Sequence, residues 1–188
     1  MLQARNWSAV ALSGPVCAGK TTLAWNLAKD VGARPLTTRV LLAARAGRDA
    51  DDLDRRRLQS LGESLDRAEG GHWVASALRS LLATDPTGGV AVIDAVRTND
   101  QAQAVAQLVP TLRVHLTAPL AVLMARYEER RSQQPAIELS SFQEVRENAT
   151  ESAIEALARD ADLVIDTARH SPDAVRDAVI ARLGTGGH

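Results

Sequence analysis

Eight consecutive residues near the start of the chain have the types and the spacing that hold a phosphate group. They run from Gly14 to Thr21 with the sequence Gly-Pro-Val-Cys-Ala-Gly-Lys-Thr. The two glycines let backbone N–H groups turn inward around an anion, because they accept torsion angles that a Cβ would obstruct. The Lys20 ammonium can reach phosphate oxygens, and the Thr21 hydroxyl is a ligand for Mg²⁺. The spacing therefore predicts a phosphate-binding loop.

The segments on either side of this loop are of the kind that the pattern requires. An apolar run at residues 7–12 precedes the loop and predicts a buried strand, and residues 19–31 have apolar side chains at helical spacing. A strand that turns through glycines into a helix N-terminus binds the phosphates of ATP. The residues that we expect to hold this nucleotide are Gly14, Pro15, Val16, Cys17, Ala18, Gly19, Lys20, Thr21 and Thr22.

Two aspartates end further apolar runs and are candidates for the acidic partner of the loop. Asp94 closes Gly-Val-Ala-Val-Ile-Asp, and Asp166 closes Leu-Val-Ile-Asp near the C-terminus. We expect the strand that ends at Asp94 to lie beside the first strand, which makes Asp94 and Thr21 the predicted Mg²⁺ residues. We expect Asp166 on the last strand of the sheet, beside the pocket that holds the base of the nucleotide.

Arginines supply the positive charge that phosphoryl transfer needs around both the acceptor and the moving γ-phosphoryl group. The 22 basic residues are 20 arginines and two lysines. Arg126 and Arg130 are four residues apart on a predicted helix and share a face. Four groups of arginines are placed to supply this charge: Arg39, the run 55–57, Arg97, and Arg126 with Arg130 and Arg131.

Short apolar strands alternate with helices along the chain, which predicts an α/β fold with a parallel sheet covered on both faces. The length of 188 residues suits one domain, residues 1–188. We predict a three-layer α/β/α arrangement with about five strands, a small helical acceptor-binding insert at about 38–83, and a short lid at about 126–147. A pair of surface helices is expected over 50–68, and Trp25 and Trp73 are expected in the core.

Composition excludes several classes of protein. The net charge of −1 gives no field that would attract nucleic acid or a membrane surface, and no apolar run could span a bilayer. Neither lysine stands in the Asn-Lys-x-Asp setting that GTPases use to read guanine. One cysteine and no visible signal peptide lead us to expect a cytoplasmic protein, and a homodimer remains open. Small-molecule kinases are the leading class.

Three stretches resemble the nucleoside monophosphate kinase group of P-loop proteins. Residues 36–39 (Leu-Thr-Thr-Arg) look like the strand that leads to the acceptor site, and residues 94–97 (Asp-Ala-Val-Arg) resemble an Asp-Gly-x-x-Arg element with alanine in place of glycine. Residues 58–63 with Arg67 are similar to the Leu-Gln-x-Leu-Gly-Thr-Glu stretch of deoxynucleoside monophosphate kinases. Residues 161–167 also resemble dephospho-CoA kinase.

This resemblance implies the P-loop NTPase fold and an ATP- and Mg²⁺-dependent transfer of phosphate to a nucleotide or another small phosphorylated metabolite. It implies Arg39 and Arg97 at the acceptor phosphate and Arg126 and Arg130 on the lid. The expected catalytic residues are Lys20, Asp94, Arg97, Arg126 and Arg130. The expected substrate-binding residues are Thr38, Arg39, Gln59, Glu63, Arg67 and Arg97.

Two alternatives stay open at the level of sequence. The first is a nucleoside or other small-metabolite kinase on the same fold, in which an acid such as Glu63 or Asp94 takes the proton of an acceptor hydroxyl. The second is a non-catalytic ATP-binding module that regulates a partner.

Overall fold

Five parallel strands form a sheet at the centre of the protein, seen in a computed structural model that describes residues 6–133, 141–146 and 149–185. The strands are β1 (Trp7–Ser13), β2 (Arg34–Thr37), β3 (Gly89–Asp94), β4 (Thr111–Thr117) and β5 (Leu163–Asp166). Their spatial order is β2-β3-β1-β4-β5, so β1 lies in the middle and β3 is its neighbour, as expected. The predicted three-layer α/β/α fold is confirmed.

Helices cover both faces of the sheet. They are α1 (Lys20–Val31), α2 (Thr38–Arg45), α3 (Arg55–Glu69), α4 (His72–Thr84), α5 (Asn99–Ala106), α6 (Leu120–Gln133), α7 (Phe142–Arg146), α8 (Ala149–Ala156) and α9 (Pro172–Thr185). Part of the predicted lid, at residues 134–140 and 147, lies outside the described residues. Within the described part of the chain, no helix combines the length and apolar character needed to cross a membrane.

The segment at residues 50–68 differs from the prediction of two surface helices. It consists of one short 3₁₀ turn, Ala50–Asp52, followed by the single helix α3. The carboxylate of Asp54 accepts a hydrogen bond from the backbone N–H of Arg57, which is an N-cap that fixes the start of α3. The prediction of a helix pair is therefore wrong.

Alternate side chains of β1 pack on opposite faces of the sheet, as the period of a strand requires. Val10 and Leu12 belong to a cluster with residues of α1 and α9, whereas Ala9 and Ala11 belong to a cluster with residues of α4 and α5. Each face of the sheet therefore has its own apolar layer.

The two tryptophans on helices have different environments. Trp73 is buried in the core between α4 and the sheet, as predicted. Trp25 is 66% exposed, because α1 turns Leu23 and Leu27 towards the sheet and leaves Trp25 on the opposite side. The prediction that Trp25 is a core residue is wrong.

Candidate active site

The loop between β1 and α1 has the backbone of a phosphate cradle. Gly14 has a φ of 133°, and Gly19, at the N-terminus of α1, has a φ of 94°. A Cβ on Gly14 would lie 2.1 Å from the carbonyl oxygen of Leu116, so the loop passes too close to β4 for any side chain. Cys17 also has a positive φ, of 60°. A loop with these torsion angles that leads into a helix N-terminus is suited to an anion.

Lys20 and Thr21 lie at the mouth of this cradle. The ammonium of Lys20 donates hydrogen bonds of 2.7 Å to the carbonyl oxygens of Gly14 and Pro15. The hydroxyl of Thr21 donates a 2.7 Å hydrogen bond to Oδ2 of Asp94 at the end of β3. A hydroxyl and a carboxylate side by side at a phosphate cradle fit Mg²⁺, which binds proteins through one or two such oxygens and keeps waters and substrate phosphates as its other ligands.

A cavity of about 1150 Å³ extends from this loop across the carboxyl ends of the strands. Most of the residues predicted from the sequence line it: Gly14, Val16, Cys17, Gly19, Lys20, Thr21, Thr22, Thr38, Arg39, Gln59, Glu63, Arg67, Asp94, Arg97, Arg126 and Arg130. Two predicted loop residues do not line this cavity: Ala18 is buried in the core, and Pro15 lines a smaller cavity on the other side of the loop.

Arg126 joins the phosphate loop to the connection that follows β5. Its Nη1 donates to the carbonyl oxygen of Cys17 at 3.3 Å and to Oγ1 of Thr167 at 3.0 Å, and its Nη2 donates to the carbonyl oxygen of Thr167 at 3.0 Å. Arg130 lies one turn further along α6, with its guanidinium carbon 5.6 Å from the centroid of the Tyr127 ring. Since both arginines line the cavity, they share a face as predicted.

The wall formed by α2 and α3 carries further predicted residues. Nη2 of Arg39 donates to the carbonyl oxygen of Ala50 at 2.8 Å, and Nε2 of Gln59 donates to Oε1 of Glu63 at 3.1 Å. The Thr38 hydroxyl lies 3.3 Å from the carbonyl oxygen of Asp94, to which it donates, so it fastens α2 to the end of β3. The insert thus contacts Asp94 directly.

Asp66 of α3, Trp73 of α4 and Gln101 of α5 form a hydrogen-bonded cluster beside this wall, which the sequence did not predict. Oδ1 of Asp66 accepts from Nε1 of Trp73 at 2.7 Å and from Nε2 of Gln101 at 2.8 Å. Oε1 of Gln101 accepts from the backbone N–H of Arg97 at 2.8 Å. The sequence held one signal for Asp66. It follows Gly62 by one helical turn, so the two residues share a face of α3, and both line the cavity.

His115 lies behind the phosphate loop and is 3% exposed. Its Nδ1 is 3.0 Å from Oγ of Ser13, the residue that precedes Gly14. Burial and, secondarily, the positive charge of Lys20 lower the pKa of His115 below its ordinary value of 6.5. The imidazole is therefore neutral at neutral pH.

A family model described as an AAA domain matches residues 10–155, which is most of the chain. The chain belongs to the AAA domain family. A search of curated proteins gives no match to this AAA-domain chain. The narrower resemblance to deoxynucleoside monophosphate kinases and dephospho-CoA kinase stays a prediction.

Solved kinases share the fold of this AAA-domain chain. APS kinase from Mycobacterium tuberculosis, in complex with AMPPNP and APS, has a TM-score of 0.63 at 16% identity, over 95% of this chain and 98% of that one. A sugar kinase from Janibacter sp. HTCC2649 has a TM-score of 0.58 at 17% identity, over 95% of each chain. Shikimate kinase from Acinetobacter baumannii, in complex with shikimate, has a TM-score of 0.58 at 16% identity, over 98% and 97% of the two chains. The fold is thus that of P-loop small-molecule kinases.

Proposed function

We propose that the protein is an ATP-dependent kinase that transfers the γ-phosphoryl group to a small phosphorylated acceptor of the (deoxy)nucleoside monophosphate type. The observation that carries the proposal is one cavity with a phosphate cradle on one side and Arg39, Arg67 and Arg97 on its other walls. Because donor and acceptor phosphates repel each other, phosphoryl transfer between them needs positive charge on both sides of the transferred group.

The donor half of the site is built from the loop and the ends of β1 and β3. The loop N–H groups and Lys20 hold the β- and γ-phosphates of ATP. Thr21 and Asp94 would hold Mg²⁺, which neutralises charge on the donor phosphates. Arg126 is held by hydrogen bonds to Thr167 and to the carbonyl oxygen of Cys17, so its guanidinium is already in position before the reaction begins.

The acceptor half lies between α2, α3 and the connection after β3. Arg97 and Arg39 bind the acceptor phosphate, and Arg67 adds positive charge at the edge of the cavity. An ionised phosphate oxygen is already a nucleophile, so no residue has to remove a proton from it. This oxygen attacks the γ-phosphorus in line, the bond to the β–γ bridging oxygen breaks, and ADP leaves.

A hydroxyl acceptor is the second candidate, because carboxylates also line the cavity. Glu63 and Asp94 both border it. A hydroxyl loses its proton as it attacks phosphorus, and a nearby carboxylate can accept that proton. Sugar kinase and shikimate kinase have the same fold, which supports this alternative without choosing the acceptor.

An acceptor screen tests the proposal. Nucleoside and deoxynucleoside monophosphates, dephospho-CoA, nucleosides, shikimate and simple sugars are each incubated with the protein and Mg·ATP, and ADP and the phosphorylated product are measured. We expect turnover with the nucleoside or deoxynucleoside monophosphates, in which a phosphate oxygen attacks. Turnover only with acceptors that react through a hydroxyl, dephospho-CoA among them, would contradict this choice and favour the hydroxyl alternative. Tight ATP binding without turnover of any acceptor would contradict the kinase proposal and favour a non-catalytic ATP-binding module.

A further inference from the structure

Gln101 is a buried amide whose two ends are both held by other parts of the protein. Its side chain is 1% exposed, although it borders the acceptor half of the cavity. Its Nε2 donates to both carboxylate oxygens of Asp66 on α3, at 2.8 and 3.0 Å. Its Oε1 accepts from the backbone N–H of Arg97, at 2.8 Å. Gln101 therefore links the insert to the backbone of a predicted acceptor-binding arginine.

The surroundings hold Gln101 in place from the backbone as well. The Thr98 side chain caps α5 by accepting from the Gln101 N–H at 3.2 Å. The connection between α3 and α4 packs closely against this first turn of α5, because a Cβ on Gly71 would lie only 2.5 Å from the backbone nitrogen of Gln101. The position of Gln101 is thus set by packing, and only the orientation of its amide is left to hydrogen bonding.

Asp66 decides that orientation because a carboxylate only accepts hydrogen bonds. The NH₂ end of Gln101 must face Asp66, which turns the oxygen end towards the Arg97 N–H. The opposite orientation would place two acceptors together at Asp66 and two donors together at Arg97. Trp73 donates to the same carboxylate and holds it in place.

We propose that Gln101 is a positioning residue for Arg97 and that Asp66 fixes the direction of the Gln101 amide. The inference rests on the proposed function in one respect: it takes Arg97 to bind the acceptor phosphate. Asp66 and Gln101 act on the acceptor half, since their hydrogen bonds run to each other, to Trp73 and to the Arg97 backbone. Disturbing the pair should raise KM for the acceptor and leave the affinity for ATP unchanged.

A reciprocal exchange of the two side chains tests this proposal. Gln101→Glu sets two carboxylates against each other, and we expect KM for the acceptor to rise about tenfold or more with little change in ATP affinity. Adding Asp66→Asn restores a donor opposite the new carboxylate. The amide oxygen at position 66 still accepts from Trp73, and the new carboxylate still accepts from the Arg97 N–H. We therefore expect the double variant to recover most of the acceptor affinity.

The matched control is Gln103→Glu, the same substitution on the exposed side of α5. It should leave both Michaelis constants unchanged. If Gln101→Glu leaves KM for the acceptor unchanged, raises KM for both substrates equally, or is not rescued by Asp66→Asn, the proposal is wrong. Thermal unfolding of each variant shows that it is folded.

A readout that needs no catalysis separates this inference from the proposed function. The Arg97 amide donates to a buried oxygen, so its hydrogen exchange should be slow in the wild type, faster by about tenfold or more in Gln101→Glu, and slow again in the double variant. If no acceptor reacts with the wild type, the proposed function fails, and this exchange still decides the positioning role. Equal exchange rates in the wild type and Gln101→Glu would overturn it.

Discussion

The hydroxyl of Thr21 donates a 2.7 Å hydrogen bond to Oδ2 of Asp94, and this bond joins the start of α1 to the end of β3. The carbonyl oxygen of the same aspartate accepts from Thr38 at the start of α2. Asp94 therefore lies where the phosphate loop, the central sheet and α2 meet.

The first prediction concerns the metal requirement. Thr21→Val removes one predicted Mg²⁺ ligand, and Asp94→Asn replaces the other, a carboxylate, by a neutral amide that binds the metal more weakly. The Mg²⁺ concentration for half-maximal activity should therefore rise about tenfold or more in each variant. Thr21→Ser keeps the hydroxyl and should stay close to the wild type. Thr84→Val, at the exposed end of α4, is the matched control. An unchanged Mg²⁺ titration in both site variants would show that these oxygens do not hold the metal.

The second prediction separates the two halves of the cavity. Arg97→Ala removes a cation from the acceptor half, so KM for the acceptor should rise about tenfold to a hundredfold while KM for ATP changes little. Arg79→Ala, on the exposed side of α4, removes an equal charge and should have no effect. Initial rates over a grid of both substrate concentrations measure this. A rise in KM for ATP alone would place Arg97 with the donor instead.

The central part of the site was predictable because few residues and strict spacing define it. Lys20 and Thr21 follow from the loop sequence, and Asp94 follows from the rule that parallel strands end at the same edge of a sheet. The pairing of β1 with β3, which sets Leu12 opposite Asp94, confirms the geometry that this argument needs. Their catalytic and metal-binding roles remain predictions that the variants above test.

The Asp66–Gln101 contact was not predictable, because it joins residues 35 positions apart on two helices. A local sequence pattern does not predict how α3 and α5 are placed relative to each other, and a polar residue on a charged helix is expected in solvent. The exposure of Trp25 has a different origin. Trp25 is two residues from Leu23, so it lies on the other side of α1 from the buried Leu23 and Leu27, and the helical spacing already indicated this.

The third prediction is a dependence of stability on pH. Burial lowers the pKa of His115 in the folded protein below 6.5, so the unfolded chain binds more protons wherever the pH lies between the two values. The contribution of neutral His115 is fully present above pH 6.5 and is lost as the pH falls towards the folded-state pKa. Urea unfolding between about pH 5 and 8 should show this loss.

Two histidine variants check that assignment. His115→Gln keeps a hydrogen-bonding group beside Ser13 and should flatten the slope of unfolding free energy against pH. His170→Gln alters an exposed histidine and should leave the slope as it is in the wild type. A slope that survives His115→Gln would assign the titration to another group.

The fourth prediction concerns the close approach of the phosphate loop to β4. Gly14→Ala would put a Cβ 2.1 Å from the Leu116 carbonyl oxygen, so it should reduce the free energy of unfolding and displace the loop. We expect a loss on the order of 3 kcal/mol, together with loss of ATP binding. Chemical denaturation and calorimetric titration with ATP measure the two effects.

Gly184→Ala provides the comparison for that substitution. No atom lies within 4 Å of a Cβ placed on Gly184, which is in α9. Alanine is the better helix former by up to about 1 kcal/mol, so this variant should be equal to or more stable than the wild type. Equal stability of the two alanine variants would contradict the packing argument for Gly14.

The most direct test of the central claim compares the two lysines of the chain, Lys20 and Lys29, by mass spectrometry of the acceptor after incubation with Mg·ATP. The wild type and Lys29→Ala should each add one phosphoryl group to the acceptor for every ADP released. Lys20→Ala should lower this transfer about a hundredfold or more, because it removes the cation at the β- and γ-phosphates. Transfer by Lys20→Ala at the wild-type rate, or ADP release by the wild type with no phosphorylated acceptor, would contradict the account.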